Sequence, residues 1–560
     1  MRCMWIAVIV LAVPLTAWCG EQPRKAEPAE APSFYKIDKN QIGDVLGRML
    51  SATYNNKNGC HMAYVTPTMD RFAVVIDGVP GPEYDAIDKT SPVFSPDGRH
   101  VAYVARKGEK WMMVVVRIER DGGRTDSKPG PEFDEIAPGS PVFSPDGFRW
   151  GYVAKNAGKW LVVIDDVPGP EYDAIIEGSL AFSANHLRFG YGAKNGGKWL
   201  VIADGKAGPE YDAILAGTPL FSADGAHAAY AARKGNAWLA IVDGQAGEEF
   251  SGIAPSSLHF SADGTRLAFA AAKGGKQFVV IDGKPGPEFE AIAAGDPAFA
   301  PGGARFAYRA EAGGKWQWVI DGQPVPGYES VAGPGSIAFS ADGRRVAVTA
   351  TRGGKAAVLL DGKPGPEADG VVSGSVKFSP DGSRLAYAIE IAGKFGVVVD
   401  GQAGPQFDAV MEGSPQFSPD GKRLAYAAEK GGKWFAVIDG KPGTACEGIQ
   451  LSGFVFSPDS SHVAYVAKKE GEMLNVIADG KPGPDARGIR AGSMMYSPDS
   501  RHLLYVGGKG GWHYVVVDGE PGIEWNLAVP NPIFTPDNGV EWLATKGQFL
   551  YRVKLIPPKK

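Results

Sequence analysis

The chain has 560 residues, 44% of them hydrophobic, and a formal net charge of only -5. That length exceeds what one hydrophobic core serves, so more than one domain is expected. A charge balance this close to neutral argues against a generalised nucleic-acid binder. The 76 glycines and 43 prolines fall below the share that marks low-complexity disorder, so the glycines read as turn residues.

The N-terminus reads as an export signal over residues 1–20. Arg2 supplies the positive start, Trp5 to Leu15 the apolar stretch, and Thr16-Ala17-Trp18-Cys19-Gly20 a cleavage region. The apolar stretch is too short to favour a membrane-spanning helix. Residues 21–33 (EQPRKAEPAEAPS) are polar and rich in Pro and Ala, the composition of a flexible tether. Cys19 ahead of such a tether resembles the lipobox of bacterial lipoproteins, which implies a lipid anchor on Cys19. Trp18 departs from that pattern, where Gly, Ala or Ser belongs, and plain cleavage beside Cys19 is the alternative. Beyond the signal only Cys60 and Cys446 remain. Two thiols so far apart make neither a disulfide framework nor a zinc site, and read as isolated packed residues.

From there to the C-terminus one motif recurs about every 39 residues. Phe-Ser-Pro-Asp-Gly or a near copy begins at Phe94, Phe143, Phe182, Phe221, Phe260, Phe299, Phe339, Phe378, Phe417, Phe456, Tyr496 and Phe534. A worn copy precedes them, ending in Asn58-Gly59, for about thirteen units in all. In the unit from Ser140 to Ile175, a short run Pro141-Val142-Phe143 stops at Ser144-Pro145-Asp146-Gly147, where Pro presets φ and Gly supplies the positive φ of a tight turn. Trp150 to Ala154 and Trp160 to Ile164 are apolar on both faces, joined by Lys155-Asn156-Ala157-Gly158-Lys159. An Asp-rich turn and a more polar run, Glu171-Tyr172-Asp173-Ala174-Ile175, complete four short strands. Strands that need cover on both faces suit sheets stacked radially, blade on blade, with the Pro- and acid-bearing fourth strand as exposed edge. The fold class read here is all-β: tandem β-propellers of four-stranded antiparallel blades.

The Ser-Pro-Asp-Gly turn followed by an apolar strand resembles the WD-like repeat of TolB-type periplasmic propellers, over about residues 50 to 555. The resemblance is to the repeat class only. TolB carries an α/β domain before its propeller, whereas only the tether and Phe34 to Leu50 stand here. Because propellers typically have four to eight blades, thirteen units divide into two rings, 34–322 with about seven blades and 323–560 with about six; a six-plus-seven split near residue 283 competes. The last unit lacks its fourth strand. Phe34 to Asp38 is read as closing the first ring, and Gln323 to Glu329 the second. The one sizeable insertion, between Val116 and Lys128, reads as a long hairpin tip or a docking loop.

Strand order sorts the turns onto two faces. One carries a ring of Asp (Asp97, Asp146, Asp224, Asp263, Asp342, Asp381, Asp420 and Asp459), each expected to cap its own turn. The other carries the Lys-Gly-Gly-Lys turns and the Gly-Ser links. There Lys110, Lys159, Lys198, Lys315 and Lys433 stand beside Trp111, Trp160, Trp199, Trp316 and Trp434, with Trp238 following Ala237. A basic ring interleaved with aromatics is a candidate binding face for an anionic glycan or an acidic protein surface; the competing reading packs each Trp between blades. His61, His100, His227, His462 and His502 share one position, the start of the second strand, where other units carry Arg or Lys, and read as solvated strand ends. No catalytic motif, phosphate loop or metal-ligand spacing is present, so no catalytic residue, cofactor or metal is assigned. The function read from the sequence is an exported non-catalytic propeller that binds protein or cell-envelope partners. A carbohydrate- or polyanion-binding propeller and a propeller-based hydrolase or lyase are the alternatives.

Overall fold

The computed structural model describes residues 36–44, 50–56, 59–118, 128–295, 297–330, 336–450, 453–528, 532–535, 539–546 and 549–556. Among them the chain forms thirteen antiparallel sheets and no α-helix. The export signal, the tether, Cys19 and most of the insertion (119–127) lie outside the described residues.

In blade 3 the second strand is Trp150–Asn156 and the third Lys159–Ile164. The outer strand starts at Val167–Pro168 and is carried on by a bridge between Trp160 and Tyr172. The innermost strand comes in two pieces, Glu135–Ile136 and Val142–Phe143, both paired with the second strand. The run Glu171 to Ile175 is therefore not one strand. Tyr172 ends blade 3, and Ala174–Ile175 pairs with Ala193 and Lys194 as the start of blade 4. Asp173 marks the crossing, because its carboxylate binds Lys159 of the blade being left and the Gly196 amide of the blade being entered.

The Gly-Ser pairs also take a different place from the one expected. They interrupt the innermost strand and do not lie on the lysine face. Ser179 bridges the interruption: its hydroxyl donates to the Ile176 carbonyl at 2.7 Å and accepts from the Gly192 amide of the second strand at 3.0 Å. Ser375 and Ser493 repeat this at Ala388 and Val506. A hydroxyl thus replaces the ladder bond that the kinked backbone cannot make and gives the Gly192, Ala388 and Val506 amides an acceptor.

Each core cluster is shared by two successive blades. One joins Val162 and Ile164 to Tyr191, Leu200 and Ile202; the next joins Val201 and Tyr211 to Tyr230, Leu239 and Ile241. An aromatic ladder runs through them. The outer-strand ring of one blade meets the second-strand ring of the next edge-on, as in Tyr172–Tyr191 at 6.3 Å and Phe407–Tyr426 at 6.1 Å. This also explains the glycine of the Pro-Gly-Pro-Glu segment. A Cβ on Gly169 would lie 2.9 Å from the Val162 carbonyl, with the Tyr191 hydroxyl behind it.

Blade-to-blade packing runs on without a break at residue 322, where the sequence suggested a boundary. Ala307, Trp318 and Ile320 of blade 7 share a cluster with Val346, Val348 and Leu359 of blade 8, and the Trp318 indole donates to the Thr349 carbonyl at 2.8 Å. Gln323–Pro324 pairs within its own blade, not as a closing strand for a second ring. The N-terminal strand, Lys36–Asp44, pairs with Phe549–Ile556 and completes blade 13. The second strand of blade 13, Val540–Lys546, lies against that of blade 1, Gly59–Pro67. The thirteen blades therefore close one ring. Thirteen sheets about 10 Å apart imply a mean circumference of roughly 130 Å and a central channel on the order of 25 Å between innermost strands. That open centre is why blade-number habits favoured two smaller rings.

Candidate functional site

On the face of the Ser-Pro-Asp-Gly turns, each Asp does local work. In blade 3 the Ser144 hydroxyl donates to Asp146 at 2.6 Å and accepts from the Arg149 amide at 2.9 Å, while the Phe148 amide donates to Asp146. Such bonds favour the ionised form. The Ser379 hydroxyl foremost, with Ser383, pushes Asp381 down to about 2, and Ser222 and Ser418 lower Asp224 and Asp420. The turn glycine has two reasons to be glycine: φ is +79° at Gly147, and a Cβ there would fall 2.4 Å from the Asp97 carboxylate of the preceding blade.

The Arg/His position at the start of the second strand is more than a solvated strand end. Arg423 donates from Nε to Asp439 at 3.0 Å within its blade and from Nη1 to the Ser460 and Ser461 carbonyls of the next, and its guanidinium lies 5.7 Å from the Phe456 ring centre. Arg188, Arg266, Arg345 and Arg384 make the same reach across to the next blade. His227, His462 and His502 keep the in-blade Asp bond at 2.6 Å. The position is an inter-blade clamp, with Arg favoured because one planar fork serves two blades at once.

On the opposite face the candidate lysines are ion-paired with the acids at the blade crossings. Lys110 binds Asp134 at 2.6 Å, Lys159 binds Asp173 and Lys198 binds Asp212 at 2.5 Å, and Lys315 binds Glu329 at 2.6 Å. Lys433 binds Glu447. The expected basic ring is a belt of neutralised pairs, and the lysines hold Asp134, Asp173 and Asp212 below the usual carboxylate range. Of the tryptophans, Trp111, Trp160, Trp199, Trp238 and Trp434 are half-buried, and Trp316 is the most open of the six at 36%. Lys155 and Lys194 lie 5.1 and 5.5 Å from the Trp160 and Trp199 ring centres, while Trp111, Trp238 and Trp434 pack against inter-blade clusters. The structure thus brings each of these Lys to an acid, sets Trp160 and Trp199 beside lysines of their own sheets, and packs Trp111, Trp238 and Trp434 between blades. Cys446 is half-buried, its thiol raised by burial and bonded to the Trp434 and Gly448 carbonyls. Among the described residues no group of three or more His, Cys, Asp or Glu stands ready to hold a metal.

The clamp and the belt both have sequence signals that per-residue reading missed. Lys is followed fourteen residues later by an acid in Lys159/Asp173, Lys198/Asp212 and Lys394/Asp408. Arg is followed sixteen residues later by Asp in Arg149/Asp165, Arg188/Asp204 and Arg423/Asp439. Where a blade loses one member it can lose both, as Ala237/Ser251 and Trp512/Asn526 do.

No protein-family model and no curated protein matches the chain. Solved structures similar to it include TolB from Acinetobacter baumannii, at 19% identity over 42% of this chain and 64% of that one, with a TM-score of 0.21. A eukaryotic initiation factor matches at 14% identity over 80% of this chain and 97% of that one, TM-score 0.30. The Cps50 (Swd1) β-propeller domain of Myceliophteria thermophila matches at 15% over 46% and 94%, TM-score 0.22. At such scores none of the three says what this chain binds. By its own sheet order and repeat, the chain is a thirteen-bladed β-propeller of WD-like repeats, similar in repeat class to TolB.

Proposed function

We propose that this chain is an exported, non-catalytic scaffold that binds protein partners of the cell envelope. The observation that carries the reading is how the repeated polar side chains are used: turn Asp residues such as Asp146 bind their own Ser, crossing acids such as Asp173 bind lysines and turn amides, and second-strand residues such as Arg423 and His462 bind Asp. Groups committed to holding blades together are poor candidates for acid–base work on a substrate. Export rests on Arg2, the apolar stretch to Leu15 and the polar tether, with Cys19 as a lipidation point in the same reading.

Partner contacts belong where blades differ, since thirteen copies of one surface offer no specificity. Blades 3 and 4 depart from the others on the Asp-turn face by exposing apolar side chains. Phe148 and Leu187, where other blades carry Arg, Lys, Ser, Thr or Ala, are 57% and 69% exposed, and Val167 is 68% exposed at the next turn of blade 3. Crosslinking of the mature protein in envelope fractions, followed by pull-down, is expected to recover specific protein partners. A glycan array that gives hits while no protein is captured would replace this reading with the carbohydrate-binding one.

A further inference from the structure

The junction between blades 5 and 6 lacks both charges of the lysine belt, as the Trp512/Asn526 junction also does. Elsewhere, Asp85, Asp134, Asp173, Asp212, Asp369 and Asp408 each accept a hydrogen bond from the first amide of the next blade's two-residue turn, at 2.7 to 2.9 Å. Glu290 does the same for Gly313 and Gly314 at 3.2 Å. Between blades 5 and 6 the residue at this place is Ser251, whose hydroxyl donates to the Ala272 carbonyl at 2.8 Å. The lysine that would face the acid is Ala237. The amide left over is that of Gly274, which has no acceptor among the described residues.

Loss of the two side chains opens a depression lined by Lys234, Asn236, Ala237, Ser251 and Lys273, with Glu249 also at its wall. Lys234 and Lys273 are exposed, and neither is ion-paired with any described carboxylate. Lys276 ends the same turn, and Glu290, its counterpart by position, is bound instead to the amides of blade 7. The place therefore keeps the amide of a carboxylate site and has two other lysines beside it, while its own carboxylate and the Lys that would pair with it are missing.

We propose that this junction is a carboxylate site filled in trans by an Asp or Glu side chain of a partner protein. The inference rests on the scaffold reading above and names the chemistry of one contact. The turn that meets a carboxylate oxygen at seven other junctions recurs here as Lys273-Gly274-Gly275-Lys276, so the amide is already set for the same acceptor. Lys234 and Lys273 stand at the depression as the cations that would face an incoming carboxylate in place of the absent Lys. A sugar acid is the weaker fit, because Phe250 in the wall is buried and offers no ring face for stacking. Because the site is open to solvent, binding through it is salt-sensitive.

The test uses the full chain and a fluorescently labelled hexaglutamate peptide, followed by anisotropy at low salt. The wild-type protein is expected to bind it. Ser251→Asp supplies the carboxylate internally, at high effective concentration, and is expected to weaken binding at least tenfold while leaving the thermal midpoint unchanged or higher. Lys234→Ala/Lys273→Ala is expected to weaken it likewise, and Gln402→Glu, which adds the same charge on a distant outer strand, to leave it unchanged. Equal binding by wild type and Ser251→Asp overturns the proposal, as does no binding of hexaglutamate at millimolar concentration. Binding of oligogalacturonate without binding of hexaglutamate overturns it in favour of a glycan. Envelope partners captured equally by Ser251→Asp would remove this site and leave the scaffold reading standing; no capture by either protein would remove the scaffold reading itself.

Discussion

Ring closure can be tested by a crosslink that only one arrangement permits. Asp38 faces Lys554, and Lys39 faces Val553, in the register that joins the N-terminal strand to the last. Facing pairs in an antiparallel ladder alternate between Cα separations of about 5.5 and about 4.5 Å, both inside the roughly 4.4–6.8 Å that a disulfide spans. Asp38→Cys/Lys554→Cys and Lys39→Cys/Val553→Cys, made in a Cys60→Ser/Cys446→Ala background of the mature chain, are therefore both expected to oxidise. The bond would close a loop of more than 500 residues, between positions 38 and 554. The chain-entropy relation puts its effect on the unfolded state at about 6 kcal/mol, an upper bound because native strain and residual structure reduce it. The assay is non-reducing electrophoresis and peptide mapping of the crosslink, with thermal midpoints measured oxidised and reduced. Two closed rings divided near residue 322 would hold position 38 beside blade 7, far from position 554. Failure of both pairs to oxidise under conditions that leave the fold intact would refute the single ring.

Three further outcomes follow from the contacts between blades. Arg423→Ala is expected to cost about 2 to 3 kcal/mol, combining charge-assisted bonds to two carbonyls with a weak cation–π contact and an ion pair discounted for its partial exposure. Arg423→Lys should recover little of this, and hydrogen exchange should rise locally around 454–468 in both variants and stay unchanged in blades 1 to 5. Gly169→Ala is expected to destabilise by roughly 1 to 3 kcal/mol, since its Cβ meets the Val162 carbonyl; wild-type stability would contradict the close approach. The third concerns pH. Burial pushes Tyr308, Tyr387, Tyr426 and Tyr465 up to about 12 from an ordinary value of 10. Their folded pKa lies above the unfolded one, so their contribution is fully present below pH 10 and is lost as pH rises toward 12. Tyrosinate absorbance at 295 nm should show a late class that ionises together with loss of circular dichroism, whereas a single step near pH 10 with the fold intact would refute it.

Much of the blade was legible because its turns are chemically explicit: Pro and Gly at Pro145 and Gly147 dictate backbone angles whatever surrounds them. The turn-capping role of the Asp ring is legible for the same reason, since Ser144 and Asp146 lie two residues apart. What escaped depends on neighbours distant in sequence. The Gly-Ser kink is defined by the second strand, thirteen residues on from Ser179. The Arg clamp is defined by carbonyls thirty-seven and thirty-eight residues ahead of Arg423, and the lysine belt by acids across a crossover. The number of blades in the ring was the least legible feature, because it depends on which strand the N-terminal segment finds.

The repeat and the ring together decide where specificity resides. Each clamp, ladder and belt pair joins a blade only to its neighbours, so stability accumulates along the chain much as in a solenoid, and the closing strand joins its two ends. A substitution that spares these contacts leaves the ring standing, and the blades are then free to diverge at turn positions outside them. Phe148 and Leu187 follow the turn glycine position without entering the clamp, and Ser251 removes one pair from a belt in which many remain. A surface ion pair contributes at most about 1 kcal/mol, so dropping one costs the ring little while exposing an amide and two lysines to a partner. The weakest of the repeated contacts is thus the one whose loss is most easily turned to recognition.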